Sequence, residues 1–123
     1  MQLMQPVWLI LAAANGLIAV AAGAFGAHAL KDLPERFLNV FKTGAQYQMY
    51  HALALLFVAL LPRTPLTGAA AWAFLAGIVL FSGSLYVLAL TRQGWVGAIT
   101  PFGGVAFMVG WAALGVCGWR MMR

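Results

Sequence analysis

The sequence has very few charged side chains: they make up 7% of its 123 residues, against about a quarter of a typical soluble domain. The acidic residues are only two, Asp32 and Glu35, so the long apolar segments contain no carboxylates for acid and base catalysis. Cys117 is the single cysteine, which excludes an intramolecular disulfide and a cysteine-based zinc cluster. These absences argue against a soluble domain and against an enzyme.

Long apolar segments dominate the rest of the chain, since 64% of the residues are hydrophobic. A bilayer core of about 30 Å is crossed by about 20 apolar residues of α-helix. Four segments predict transmembrane helices, at residues 7–30, 44–61, 67–91 and 100–119. Membrane β-barrels have shorter strands of alternating polarity, so the predicted fold class is all-α. We expect a polytopic membrane protein that forms one membrane domain over residues 1–123.

A different pattern separates the first two apolar segments. Between residues 33 and 42 the apolar side chains fall on one helical face and the polar ones on the other, which is typical of an amphipathic helix in the membrane interface. Asp32 is suited to cap its N-terminus, and Thr43-Gly44 would form the bend into the second transmembrane helix. The alternative is one unbroken helix over residues 33–61, about 43 Å long. We expect the bent arrangement, because the unbroken helix would project beyond the hydrocarbon.

The second apolar segment carries the densest group of polar and aromatic side chains, at residues 46–51. Gln46 and Tyr50 are one helical turn apart. Tyr47 and His51 have the same spacing, so the four side chains form a broad polar stripe that should face protein or water. Hydrogen bonding between helices is the main predicted role of these four side chains and of Gln48. Polar residues in the first and third segments are candidates for similar hydrogen bonds, namely Asn15, Ser82, Ser84 and Tyr86.

His51 also allows two functional alternatives. As a titratable group inside the membrane it could relay protons or ions in a small oligomeric transporter or channel. Together with His28 it could hold a metal ion or a haem, since imidazole is a common metal ligand, and the bent arrangement would place both histidines near one membrane face. Two histidines without a nearby cysteine or carboxylate do not make a typical zinc site, however. We therefore expect no metal and no other cofactor.

Small residues recur at helical spacings and predict close packing between helices. In membranes they let neighbouring backbones approach and gain van der Waals contacts. The predicted packing glycines are Gly16, Gly23, Gly26, Gly77, Gly83, Gly103 and Gly110. Such faces favour a non-enzymatic packing or accessory protein that binds its own copies or another membrane protein. We place this role ahead of transport.

The order of four motifs resembles one family of small membrane proteins. The motifs lie at residues 23–30 (GAFGAHAL), 46–53 (QYQMYHAL), 81–86 (FSGSLY) and 100–104 (TPFGG). They span most of the chain and are similar to the domain of unknown function 423, a family that includes transmembrane protein 256. The resemblance implies a four-helix protein of the bacterial inner membrane. It implies no reaction, substrate or cofactor.

Basic residues at the ends of the segments produce the net charge of +5, a distribution typical of membrane anchors and not of nucleic-acid binding. The first and third loops hold Lys31, Arg36, Lys42 and Arg92. The opposite side holds Arg63, Arg120 and Arg123. Because basic residues favour the cytoplasmic side, this small excess predicts that both termini lie outside the cytoplasm.

Overall fold

The computed structural model describes residues 5–123, which form helical rods joined by short connections. The first rod is α1 (Pro6–His28) and the second is α2 (Glu35–Leu60). The third contains α3 (Pro65–Gly77), a π-helical turn (Ile78–Ser82) and α4 (Gly83–Thr91). A 3₁₀ turn (Gly94–Ala98) leads into α5 (Thr100–Met121). No strand occurs between residues 5 and 123, so the predicted all-α class is confirmed.

Three helical segments are long and apolar enough to cross a membrane: Pro6–His28, Pro65–Thr91 and Gly94–Met121. They correspond to three of the four predicted spans. The remaining helix, α2, has 26 residues, but Gln46, Gln48 and His51 lower the hydropathy of its central part. Length and composition therefore identify three spans in the described chain rather than four.

The predicted bend at Thr43-Gly44 is wrong, because α2 continues through both residues without a break. The interfacial helix predicted at residues 33–42 is not a separate element, because residues 35–42 form the first turns of α2. The Thr43 hydroxyl donates to the carbonyl of Asn39, one turn earlier, at 2.9 Å and so leaves the helical backbone intact. Asp32 does not cap this helix, since Pro34 occupies the N-cap position and no side chain bonds there.

Packing holds the N-terminal part of α2 against its neighbours. Phe41 is buried, with its ring centroid 6.0 Å from that of Phe25 on α1 and 4.9 Å from that of Tyr86 on α4. Gly26 leaves room for this ring, because a Cβ added there would lie 3.0 Å from it. Gly44 is buried against Tyr86 in the same way. A helix lying flat in the interface would expose these groups, so tertiary packing outweighs the amphipathic pattern.

The hydrophobic core joins α1, α2 and α3 and consists mainly of small side chains. Its buried members are Ala12, Ala54, Leu55, Val58, Ala70, Ala71 and Phe74. At this end of the bundle the Gln5 amide nitrogen donates to the carbonyls of Val58 and Leu61, both at 3.1 Å. The Val58 carbonyl also accepts from the backbone nitrogen of Leu61 at 3.0 Å, so Gln5 adds further hydrogen bonds at the C-terminal end of α2. α5 packs against α3 and the π-helical turn, which completes the bundle.

Candidate functional site

A chain of hydrogen bonds centred on Gln48 connects three helices. The buried Gln48 amide nitrogen donates to Asn15 Oδ1 on α1 at 3.0 Å. Its amide oxygen accepts from the Tyr86 hydroxyl on α4 at 2.7 Å. Asn15 in turn donates to the carbonyl of Leu11 at 2.9 Å. The interhelical hydrogen bond predicted for Asn15 is therefore present, and it belongs to a larger network.

A second polar group surrounds His51, which is 4% exposed. Trp111 Nε1 lies 3.1 Å from His51 Nε2, and since an indole N–H only donates, this ring nitrogen accepts. The other ring nitrogen, Nδ1, donates to the carbonyl oxygen of Tyr47 at 2.7 Å. Both nitrogens are therefore engaged, and the two bonds together select the tautomer that carries its proton on Nδ1.

Aromatic rings enclose the imidazole of His51. Phe107 stacks on it, with ring centroids 3.5 Å apart and planes inclined by 6°. The centroids of Phe74 and Trp111 lie 5.8 and 6.0 Å away. Tyr47 adds a further ring at 6.1 Å. These contacts come from α3 and α5 as well as α2, so the imidazole lies where three helical segments meet.

Two of the predicted packing glycines make room for these rings. A Cβ added at Gly77 would lie 2.3 Å from the ring of Phe107, and one added at Gly110 would lie 2.6 Å from that of Phe74. Gly26 and Gly103 also meet neighbouring atoms closely. At Gly16, Gly23 and Gly83, by contrast, an added Cβ would meet no heavy atom of the described chain within 4 Å apart from its chain neighbours and the adjacent backbone of its own helix. Only part of the predicted set therefore packs within one chain.

The predicted polar stripe of α2 is divided between the inside and the outside of the bundle. Gln46 and Tyr50 are exposed, while Gln48 and His51 are buried. Tyr47, 37% exposed, lies at the boundary. A helix turns about 100° per residue, so the side chains of residues 46–51 point to more than half of the helix circumference. No single neighbouring helix can contact all of them.

His28 lies apart from this site, exposed in the last turn of α1. His51 follows the first residue of α2, Glu35, by 16 residues, about 24 Å along the helix axis. The fold does not bring the two histidines together as a ligand pair. Across residues 5–123, no group of three or more His, Cys, Asp or Glu side chains is arranged to hold a metal ion.

The two predicted serines lie at the crossing with α5, Ser82 at the end of the π-helical turn and Ser84 in the first turn of α4. Ser84 donates to the carbonyl of Phe81 at 2.9 Å, so the Thr100 hydroxyl, 2.6 Å away, donates to Ser84. Ser82 is fully buried, and its hydroxyl has no hydrogen-bond partner in the part of the chain described. α5 approaches this turn at Gly103, where an added Cβ would lie 2.3 Å from the Phe81 nitrogen.

Gln48 and Tyr86 form hydrogen bonds between helices, as predicted from the polar residues of their segments. Trp111, which donates to His51, is not among the predicted residues. Its indole N–H lies inside an apolar segment where lipid provides no acceptor, and that need for a partner was the available signal. Gln48 also lies about 200° around α2 from Gln46, which separates it from the exposed face.

The sequence motifs around these residues recur in a protein family. The family described as Protein of unknown function (DUF423) matches residues 22–104, which include Gln48, His51 and Tyr86. The chain belongs to the DUF423 family. The predicted family is thus confirmed, although no solved structure matches the chain.

Relatives of this DUF423 chain are named as membrane proteins of bacteria. UPF0382 membrane protein YwdK of Bacillus subtilis is 53% identical over 111 residues, covering 85% of this chain and 89% of the relative. A UPF0382 membrane protein of Staphylococcus epidermidis is 48% identical, with coverages of 88% and 91%. One of Staphylococcus saprophyticus is also 48% identical, with coverages of 88% and 92%. These names describe location and give no activity.

Proposed function

We propose that α2 also crosses the membrane, so that the protein has four transmembrane segments in the bacterial plasma membrane. Packing supports this proposal, because Gln48 and His51 are buried and hydrogen-bonded inside the bundle, away from lipid. Leu53 and Phe57 on the outer side are half exposed or more and suit a lipid or helix contact. The 26 residues of α2 extend about 39 Å, so its charged first turns reach beyond a hydrocarbon core of about 30 Å.

We further propose that the protein is a non-enzymatic accessory protein that assembles with a second copy of itself. One observation carries this proposal: α2 presents a regular exposed stripe to the outside of the bundle. This α2 stripe consists of Gln46, Tyr50, Leu53, Phe57 and Leu60. Its spacings alternate between four and three residues, which is the repeat of helices that pack side by side in left-handed pairs.

Membrane insertion determines how two copies meet. Both copies have the same orientation, so a twofold axis runs along the membrane normal and the two α2 helices are parallel. Each residue of the α2 stripe then faces its counterpart. Gln46 suits this arrangement because a carboxamide both donates and accepts, so two copies of Gln46 satisfy each other where lipid provides no partner.

Open space beside the α2 stripe allows a close approach. Two grooves between α1 and α2, of about 200 and 530 Å³, lie along this side of the bundle. Gly16 and Leu53 line the smaller groove, and Gly23 and Gln46 line the larger one. In the described chain, an added Cβ at either glycine would meet nothing within 4 Å beyond its chain neighbours and the adjacent helix backbone. A second copy would cover these packing glycines.

The buried polar groups favour an architectural role over transport. Both ring nitrogens of His51 are engaged, and the Gln48 amide both donates and accepts. A transported proton would have to displace one of these hydrogen bonds. The polar groups of the core thus hold the helices together, while the α2 stripe provides the contact surface.

Disulfide crosslinking in native membranes tests the parallel dimer. Two separate variants in a Cys117→Ala background, Leu53→Cys and Phe57→Cys, each carry a single thiol on the α2 stripe. Each is expected to give a covalent dimer on mild oxidation, because equivalent residues face each other across the axis. Val79→Cys is the matched control, since Val79 is 63% exposed but lies on the third rod. Dimer yields no higher on the stripe than at the control would contradict the proposal.

Gln46→Leu, added to Leu53→Cys, tests the hydrogen bond proposed at the interface. Interhelical side-chain bonds in membranes contribute about 0.6–2 kcal/mol, so the dimer-to-monomer ratio should fall about three-fold or more. The ratio is measured by densitometry of the crosslinked band at matched expression. An unchanged ratio would show that Gln46 does not pair between copies.

A further inference from the structure

One end of the bundle carries two arginines that share a phenylalanine ring. The guanidinium carbon of Arg36, in the first turn of α2, lies 4.6 Å from the centroid of the Phe37 ring. That of Arg92, which follows α4, lies 5.2 Å from the same ring. Both arginines line one cavity of about 340 Å³. Tertiary folding thus brings two positive charges from different rods to a single cavity.

The other residues that line this cavity carry no negative charge to neutralise the two arginines. Its other lining residues are Phe37, Val40, Leu88 and Gly94. No carboxylate of residues 5–123 lines it, and both acidic side chains of the chain are exposed. Both guanidinium groups lie close to the same ring, at 4.6 and 5.2 Å, and no carboxylate in the cavity neutralises them. An anion bound in this cavity would balance both charges and accept paired hydrogen bonds from each planar guanidinium.

The backbone at Arg92 adds an independent observation. Its φ of 57° makes it the only non-glycine residue with positive φ in the described chain, and it terminates α4. Glycine is common at such a position, because a Cβ in the left-handed region is unfavourable. Here the chain instead has an arginine, whose guanidinium lies 5.2 Å from the Phe37 ring. Unfavourable backbone conformations of this kind cluster at binding positions, which agrees with a binding role for Arg92.

The location of the cavity identifies the source of the anion. Arg36 lies where α2 begins and Arg92 where α4 ends, at the boundary between the apolar rods and water. Trp95, 69% exposed in the adjacent 3₁₀ turn, is a residue type that favours the headgroup layer. We propose that Arg36 and Arg92 bind the phosphate of an anionic phospholipid headgroup. Val40 and Leu88 then contact the apolar part of the lipid. This inference rests on the proposed span α2 and not on the dimer.

Native mass spectrometry of the full-length protein in detergent measures the proposed binding. Dioleoylphosphatidylglycerol is the probe, dioleoylphosphatidylcholine is the zwitterionic comparison, and inorganic phosphate tests for a free anion. We expect phosphatidylglycerol to bind at least tenfold more tightly than phosphatidylcholine. Millimolar inorganic phosphate should not displace it. Displacement by inorganic phosphate would overturn the assignment to a lipid.

Charge-removing variants locate the site. Arg36→Gln and Arg92→Gln should each weaken phosphatidylglycerol binding about fivefold or more, and the double variant should bind both lipids equally. Arg63→Gln and Arg120→Gln remove the same charge at the other end of the bundle and should leave the preference unchanged. An undiminished preference in the double variant, or an equal loss in the two controls, would overturn the proposal.

Arg92→Gly separates binding from folding. Glycine relieves the left-handed backbone, so the midpoint of thermal unfolding in lipid-free detergent should rise by a few degrees. Phosphatidylglycerol binding should nevertheless fall as it does in Arg92→Gln. Wild-type binding by this variant would mean that the Arg92 side chain takes no part in the site.

Discussion

Gly103 brings α5 against the backbone of the π-helical turn, and replacing it with alanine should separate these elements. An added Cβ would lie 2.3 Å from the backbone nitrogen of Phe81 and 2.8 Å from its Cα. Ordinary van der Waals contact begins at 3.4 Å, so α5 would have to move by about 1 Å. A flexible side chain could rotate away from such a contact. A backbone nitrogen inside a helix cannot.

The cost of this movement can be worked from the contact itself. A gap of 0.5–1 Å removes about a quarter to a half of the attraction between each facing pair of atoms. Extra methyl groups forced into tight packing usually cost about 1–3 kcal/mol. Alanine is favoured over glycine in a helix by up to about 1 kcal/mol, which offsets part of that cost. We therefore expect Gly103→Ala to lower the free energy of unfolding by about 1–2 kcal/mol.

Gly104→Ala is the matched control, because it makes the same change one residue later in α5. An added Cβ at Gly104 would meet no other helix of the described chain within 4 Å, so this variant should be neutral or stabilised by up to about 1 kcal/mol. Titration with sodium dodecyl sulfate in mixed micelles, followed by circular dichroism, measures both free energies. Equal free energies of unfolding for the two variants would refute the reasoning, because only the packing around the added methyl group differs between them.

The two buried polar groups lead to further expected outcomes in the same titration. Gln48→Leu leaves two polar neighbours without a partner and should lower the free energy of unfolding by about 1–3 kcal/mol. Gln46→Leu, on the exposed face, should change it by less than about 0.5 kcal/mol in the monomer. Trp111→Phe keeps an aromatic ring but removes the donor to His51, which should cost about 1–2 kcal/mol. Wild-type stability of Gln48→Leu and Trp111→Phe would contradict the hydrogen bonds assigned to them.

The helices could be predicted because length and apolar composition are local properties. The bounds of α1 and α5 differ from the predicted spans by no more than about two residues, the usual uncertainty of helix ends. The bend at Thr43-Gly44 failed for the opposite reason. It was inferred from local signals, whereas the fit of Phe41 against Gly26 depends on another helix. Amphipathic patterning predicts that a face is buried, but not whether lipid or protein covers it.

The π-helical turn at Ile78–Ser82 could not be predicted from the sequence, because its composition does not distinguish it from an α-helix. Its residues are those of an ordinary apolar helix, and a π turn alters which faces the following residues present. Ser82 and Ser84 are only two residues apart, yet the Ser82 hydroxyl has no partner within the described chain and the Ser84 hydroxyl is hydrogen-bonded. Polar residues in an apolar segment indicate that partners exist. They do not identify those partners.

The polar residues of α2 point in three directions, and two of these are satisfied within the chain. Gln48 is bonded to α1 and α4, and His51 is bonded to α5. Gln46 and Tyr50 form the third direction and are exposed. If α2 crosses the membrane, the rule that pairs the first two groups also applies to the third, because lipid provides no hydrogen bonds at any of these positions. The parallel second copy proposed above would supply these missing partners with no further component, so the exposed side of α2 is where the dimer proposal is tested.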